Sequence, residues 1–444
     1  MKILNDLFEK VPIPKAYMQL AIPVVLGMVA SMIYNLADTF FVAQTGNADL
    51  VAGIALGSPL FSFMLAVGDI FGLGGSAVIS RALGKHDYQK SARVSSFCFY
   101  IAIILSLVLT ALLLFFEGPI LNLLGATNAT RPYISDFYRV LVLGSTFIIV
   151  SLVPGNIIRT EGLAQFSMIA TISGTVLTII LDPLFLFVFN WGASGVAFAN
   201  VIGYAVNTGL LVLFMRRTKS LSLAPKLAHI SHPTFKAVVA VGIPASLTNL
   251  TQSFGMMLLN SFLAAYGANA VAAMGIVQKI YMVVMMVMVG FAFGAQPLVG
   301  YNYGAKNWSR LKETLHFDLK VEGLYATVVA LILIVFAPQL VQLFMNQTAI
   351  VSMGTIMLRA MLITTPLVGF ILVFTTVFQS VGAGTSALIM ALSRQAILLG
   401  LAIVILAYFF GLNGIIWAQA VADVLTCLIG WHLYSKAFKN VNLS

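Results

Sequence analysis

The chain has 444 residues, of which 60% are hydrophobic and 9% charged, with a mean hydropathy of +1.00 and a formal net charge of +10. Soluble domains carry roughly 25% charged residues, so this composition excludes an ordinary soluble enzyme and predicts a chain that crosses a bilayer many times. A basic balance alone fits either a nucleic-acid partner or a membrane topology, and its placement along the chain decides between them.

A spanning helix needs about 20 mostly apolar residues, and about twelve such runs are present. Their cores are 16–42, 51–80, 94–116, 133–157, 166–190, 194–215, 237–265, 271–300, 313–337, 351–379, 385–410 and 413–435. The opening stretch "MKILNDLFEKVPIPK" is short, charged and amphipathic, and does not read as a cleavable signal. With the N-terminus inside, eighteen of the 24 Lys and Arg fall in cytoplasmic segments, only Arg131 on the opposite face, and five within spans. This positive-inside bias predicts a multi-pass protein of the cell inner (cytoplasmic) membrane with both termini cytoplasmic. The net charge therefore reports topology, and no nucleic-acid partner is expected. Cys98 and Cys427 both lie in apolar runs and read as small buried hydrophobes.

In chain order, the first six runs reappear as the last six. "AIPVVLG" around Pro23 returns as "GIPASLT" around Pro244, and "QTGNADLVAGI" returns as "AYGANAVAAMGI". "FGLGGSAVISRALGKHDY" returns as "FGAQPLVGYNYGAKNW", and "WGASGVAFAN" as "FGLNGIIWAQ". The shift stays at about 220 residues throughout, which marks an internal duplication. Each half holds six spans, an even number, so both enter the membrane in the same sense and are related by an axis along its normal. The predicted fold is an all-α integral membrane protein with twelve transmembrane helices in two pseudo-symmetric six-helix bundles around a central cavity. The expected divisions are an N-terminal lobe at 1–215, a cytoplasmic linker at 216–236 and a C-terminal lobe at 237–444.

The duplication also provides an internal control on polar residues. Asp38, in "YNLADTFFVAQTG", aligns with Leu259; Asp69 aligns with Phe291; Asp182, in "LDPLFLF", aligns with Leu401 or Ala402. An ionisable group inside a span is costly. A fold that accepts aliphatic or aromatic groups at the matching positions does not need these acids for its architecture. Tyr34 and Asn35 lie one turn before Asp38 on the same helical face, and Thr178 one turn before Asp182. Pro183 lacks an amide hydrogen and loosens the helix beside Asp182. This collection of oxygens suits a hard cation, a shuttled proton, or a polar stripe along a water-filled cavity.

In the second half, Lys279, Asp318, Lys320, Arg359, Arg394 and Asp423 are expected to snorkel or pair, with Glu322 the deepest in its span. Met256, Met257, Met282 and Met286 read either as ordinary packing or, with Tyr34 and Asp69, as the lining of an adaptable substrate cavity. No P-loop, HExxH or GxSxG motif occurs, and the five histidines form no ligand set, so the chain is not expected to be an enzyme.

"LADTFFVAQTG", "GGSAVISRALGKHDY", "LDPLFLF" and "QPLVGYNYGAKN" resemble the multidrug and toxic compound extrusion (MATE) family, in its bacterial DinF-like/MepA-like branch. The resemblance spans essentially the whole chain. It implies a secondary active antiporter that exports organic cations or amphipathic drugs in exchange for H+ or Na+ by alternating access. It also implies that Asp38 and Asp182 are the first-helix and fifth-helix acids of the cation site, and that the first helix bends at Pro23. Two departures stand at this site: Thr178 where relatives carry Asn, and Asn200 in the sixth helix where they carry Thr. The expected partners are a small cationic or amphipathic substrate and membrane lipid, and the protein is expected to be monomeric. No cofactor or structural metal is expected; the coupling ion is H+ or Na+, the latter held at Asp38/Asp182. The rival readings are a lipid-linked precursor flippase and, from another class, an ion channel or receptor.

Overall fold

The computed structural model describes residues 2–439; the outermost ends of the expected lobes, Met1 and 440–444, lie outside the described residues. A short amphipathic helix α1 (Lys2–Glu9) leads into α2 (Ile13–Gln44), α3 (Ala48–Gly84) and α4 (Tyr88–Phe115). After the small α5 (Glu117–Leu123) come α6 (Arg131–Leu143) and α7 (Ser145–Ile157), then α8 (Ala164–Pro183) and α9 (Gly192–Met215). The second half opens with α10 (His232–Ala264), α11 (Ala268–Gly304) and α12 (Trp308–Val335), the last followed by the small α13 (Ala337–Phe344). It closes with α14 (Thr348–Ile363), α15 (Thr365–Val381), α16 (Gly384–Leu392), α17 (Leu399–Phe410) and α18 (Leu412–Phe438). An all-helical chain satisfies its backbone hydrogen bonds within each segment, as the bilayer interior requires.

Among the described residues, eight helices are long and apolar enough to cross a membrane, or up to eleven when each of three bent pairs counts as one span. The remaining span is α10, which has 33 residues. Its middle carries Ser246, Thr248, Asn249, Thr251, Gln252 and Ser253, so a hydropathy criterion passes over it. Several of these hydroxyls turn back on the helix: Thr248 donates to the Pro244 carbonyl and Ser246 to that of Ile243. Thr251 reaches the Ala391 carbonyl of α16 at 3.0 Å.

The duplication is visible in the backbone. Left-handed residues recur at matching positions: Gly46 and Gly267, His86 and Lys306, Gly162 and Gly382, Gly192 and Gly411. Asp87 caps α4 through the Lys90 amide, and Asn307 caps α12 through that of Arg310. The two bundles meet through a reciprocal exchange in which α3 packs on α10 and α11 on α2. At both crossings small residues bring backbones together, the usual device for close helix contact in lipid. A Cβ on Gly242 would lie 1.9 Å from the Ile70 carbonyl oxygen, and one on Gly294 would lie 2.4 Å from the Ala21 Cα. Gly84 abuts the Tyr301 carbonyl and Gly304 that of Arg81, the same contact made twice about the axis.

These contacts lie at the end of the molecule that carries the basic loops. There one core joins Leu20, Ala21, Phe71 and Leu83 of the first bundle to Ala295, Leu298 and Tyr301 of the second. Toward the other end, the first bundle has its own core around Met64, Tyr138 and Ile149. The second bundle has another around Val277, Met288 and Leu358. The bundles thus share one core at one end and keep separate cores at the other. Near the shared end the polar crevice between them, lined by Ser76, Asn156, Arg159, Gln296 and Ser380, narrows to about 10 Å³. Arg81 fastens this end by donating to the Ser380 carbonyl at 2.7 Å.

Candidate functional site

The first bundle's polar side chains gather where α2 packs on α8 and α8 on α9. Asp182 is 1% exposed and neither of its carboxylate oxygens has a hydrogen-bond partner. Asp38 is half-buried, and its Oδ1 is likewise without a partner. The two acids lie within electrostatic reach of each other, and Tyr34 lies within reach of both. The Tyr34 hydroxyl donates to Oδ1 of Asn200. Asn200 in turn gives its amide to the Val196 carbonyl at 3.0 Å. Thr178 is buried and donates to Gly174 at 3.0 Å, with the Ala199 carbonyl at 3.4 Å.

Local sequence explains how these groups come together. Gly174 on α8 and Gly203 on α9 let the two helices close until a Cβ on Gly203 would lie 2.0 Å from the Thr178 hydroxyl. Thr178 and Asp182 are one turn apart and share that face. Pro183 cannot donate to the carbonyl one turn back, and the chain after it widens into a π-helical turn at Leu184–Val188. On the other side α2 runs as one helix through Pro23 to Gln44. Nothing lies within 4 Å of the space a Cβ on Gly27 would take, one turn beyond Pro23.

The expected residues divide clearly. Asp38, Asp182, Tyr34, Asn200 and Thr178 line one α2–α8–α9 junction. Asn35 is exposed and donates back to the Ser31 carbonyl on its own helix at 3.4 Å. Asp69 belongs to a neighbouring cluster with Arg159 and Tyr204, both within its electrostatic reach. Tyr204 was not anticipated, although it sits one turn beyond Asn200 and also faces Tyr34. Helical spacing applied to the sixth run, as it was to the first and fifth, finds it. Among the methionines, Met256 and Met257 are exposed and Met282 and Met286 are half-buried. Their neighbours Met285 and Met288 are core.

The matching face of the second bundle is apolar. Leu259 is 4% exposed within the second bundle's core. Phe291 stacks on Tyr17 and meets Tyr325 edge-on. Elsewhere in that bundle, expectation holds for Arg394 and Asp423, which form a buried ion pair at 2.8 Å. It does not hold for Asp318. Both Asp318 and Glu322 are fully buried on α12 without a salt bridge among the described residues. Among the described residues no three His, Cys, Asp or Glu side chains converge as a metal site.

Twelve membrane helices among the described residues, in two reciprocal bundles, with the unpartnered acids Asp38 and Asp182 at one α2–α8–α9 junction whose counterpart is apolar, define a polytopic membrane transporter. The chain belongs to the MatE family, multidrug and toxic compound extrusion, whose model matches it twice, over residues 23–184 and 244–406. It is 32% identical over 422 residues to the multidrug export protein MepA of Staphylococcus aureus strain N315, covering 95% of this chain and 93% of that one. Among solved structures, it is similar to a multidrug resistance MATE transporter of the MOP superfamily in an outward-facing conformation. That match has a TM-score of 0.92 at 26% identity and covers 100% of this chain and 99% of the other. A MATE crystal structure in the bent conformation matches with a TM-score of 0.91 at 26% identity, over 100% of both chains.

Proposed function

We propose that the protein is a proton-driven multidrug efflux antiporter of the cytoplasmic membrane. It would have both termini cytoplasmic, lobes at 1–215 and 237–444, and the 216–236 linker between them. The carrying observation is the pair Asp38 and Asp182, whose buried oxygens have no donor. A buried carboxylate without a partner calls for a proton or a cation. Sodium needs several oxygens at once, and here Asn200 Oδ1 already accepts from Tyr34 and Asn35 is exposed and turned to its own helix, which leaves Thr178 Oγ1 as the one neutral candidate oxygen with nothing donating to it. A proton needs only the two carboxylates.

The separate cores away from the basic loops support a molecule that opens on the side opposite those loops, the outside under the positive-inside rule. A proton entering from there meets the half-buried Asp38 before the sealed Asp182. Neutralising the pair removes the repulsion between two acids in a low-dielectric site. The α2 helix can then close on α8, using the missing hydrogen bond at Pro23 and the free space at Gly27. A bent conformation named for a related MATE structure supports that movement. The substrate is a small cationic or amphipathic molecule held in the cleft by Tyr34, Asp69 and the exposed faces at Met256, Met257, Met282 and Met286. The protein works as a monomer in lipid.

The test is efflux of a fluorescent organic cation from proteoliposomes, with a pH gradient and then a sodium gradient imposed alone. The expected result is uphill movement with the pH gradient only. Movement driven by sodium alone overturns the coupling, and downhill conductance without uphill movement overturns the antiport.

A further inference from the structure

A cavity of about 270 Å³ lies well away from the cleft, among the basic loops. It is lined by Lys90 and Arg93 of α4, by His229 just before α10, and by Ser231 and Thr234 at the start of α10. Arg93 Nε is sealed from solvent and bonds nothing, and neither Lys90 nor Arg93 joins a salt bridge among the described residues. The one acid in the wall, Asp87, accepts the Lys90 backbone amide at Oδ1 as the cap of α4, and the Ser231 and Thr234 hydroxyls bond each other at 3.0 Å. Ser231 makes no side-chain cap on α10, so the cavity also faces the uncapped N-terminal turn of a 33-residue helix. The linker that leads to α10 is tied down on the first bundle. Ser95, Ser96 and Tyr100 of α4 bind the carbonyls of Ser222, Ala224 and Leu223. Glu161 accepts from the amides of Lys219 and Ser220.

We propose that this cavity binds the phosphate of an anionic phospholipid headgroup. Unpaired cations, two hydroxyls and a helix N-terminus around one cavity match a phosphate oxyanion. Basic pockets between helices at the cytoplasmic surface are a recurrent headgroup site. The lipid source is favoured over free phosphate by what lies one turn further along both helices. Phe97 of α4 and Phe235 of α10 meet edge-on at 6.0 Å, and Phe235 is 39% exposed, leaving an apolar surface for an acyl chain. A bound headgroup would bridge α4 of the first bundle to α10 of the second.

The experiment takes the full-length protein from nanodiscs of phosphatidylcholine with a minority of phosphatidylglycerol. It counts retained lipids by native mass spectrometry. Phosphatidylglycerol should be retained over phosphatidylcholine. Retention should weaken about fivefold in Lys90→Ala and about 25-fold in Lys90→Ala/Arg93→Ala. A control pair, Arg216→Ala/Lys226→Ala, should retain it as the unmodified protein does. Lys90 is exposed, so its single variant reads the site even if the double variant folds poorly. Equal retention in the unmodified protein and Lys90→Ala overturns the proposal. Displacement of the lipid by equimolar inorganic phosphate or glycerol phosphate also overturns it, since a lipid site must gain from the acyl chains.

Discussion

The Tyr17 hydroxyl of α2 donates to Asp318 of α12 at 2.8 Å, a hydrogen bond between the two bundles across 301 residues of sequence. Tyr17 and Asp318 are both fully buried, and Glu322, one turn along α12, has two unpartnered oxygens beside them. A side-chain hydrogen bond contributes about 0.5–1.5 kcal/mol net, and leaving a buried acceptor without its donor costs about 1–3 kcal/mol. Tyr17→Phe should lower the melting temperature and make a cysteine introduced at the basic-loop end more reactive to a membrane-impermeant, thiol-directed reagent added on that side. Unchanged melting and reactivity would show that the bond holds nothing.

Asp38 and Asp182 are expected to act as one unit. Each Asp→Asn variant should insert normally and lose gradient-driven efflux, and the double variant should be no worse than either single one. Groups that share one step behave non-additively. Additive losses in proteoliposome flux would mean that the acids serve separate steps.

The buried pair Arg394–Asp423 is reinforced by Thr364 at 3.0 Å and Gln419 at 2.9 Å. Removing one partner strands a buried charge at a cost of about 3–5 kcal/mol, while replacing both with apolar groups is often close to neutral. Arg394→Met and Asp423→Leu should each destabilise strongly, with the double variant recovering most of the loss in a thermal melt.

Gly242→Ala tests the closed end. Its new Cβ meets the Ile70 carbonyl, which belongs to backbone and cannot swing away. The bundles must part there, so the variant should favour a state open at the basic-loop end, read by spin labels across that end.

Glu117, at the start of α5, combines burial, which acts upward, with bonds from Arg139 at 3.0 Å and Ser135 at 2.7 Å, which hold its carboxyl below the usual range. A depressed folded value stabilises above the unfolded pKa, and that stability disappears as pH falls through the folded one. Arg139 is largely exposed, so the pair is worth less than about 1 kcal/mol. Glu117→Gln should lower melting slightly at neutral pH and flatten its acid side.

Much of this architecture was legible because a duplicated sequence carries its own comparison. The shift of "FGLGG" onto "FGAQP" locates the same turn twice, and Asp38 stood out because Leu259 occupies its place. What stayed hidden depended on contact between distant segments. Asp318 looked like one more charge near a span end until Tyr17 and the fully buried Glu322 appeared around it. Helix α10 was read as a span, at 237–265, but how its polar middle fits a bilayer was not legible: its hydroxyls bond to nearby carbonyls, a solution that composition does not record. Tyr204 was within reach of spacing rules, but its value comes from Tyr34, on another helix.

Gly84 meets the Tyr301 carbonyl while Gly304 meets that of Arg81. In a contact of this kind, residue i touches j and the copy of j touches the copy of i, which is the mark of an isologous interface in a twofold homodimer. This single chain therefore carries within itself a contact of the kind that joins two identical subunits. Because both halves lie in one chain, they need not match each other. The first has acids at Asp38 and Asp182 where the second has Leu259 and an apolar counterpart, a difference that no symmetric pair of subunits can hold.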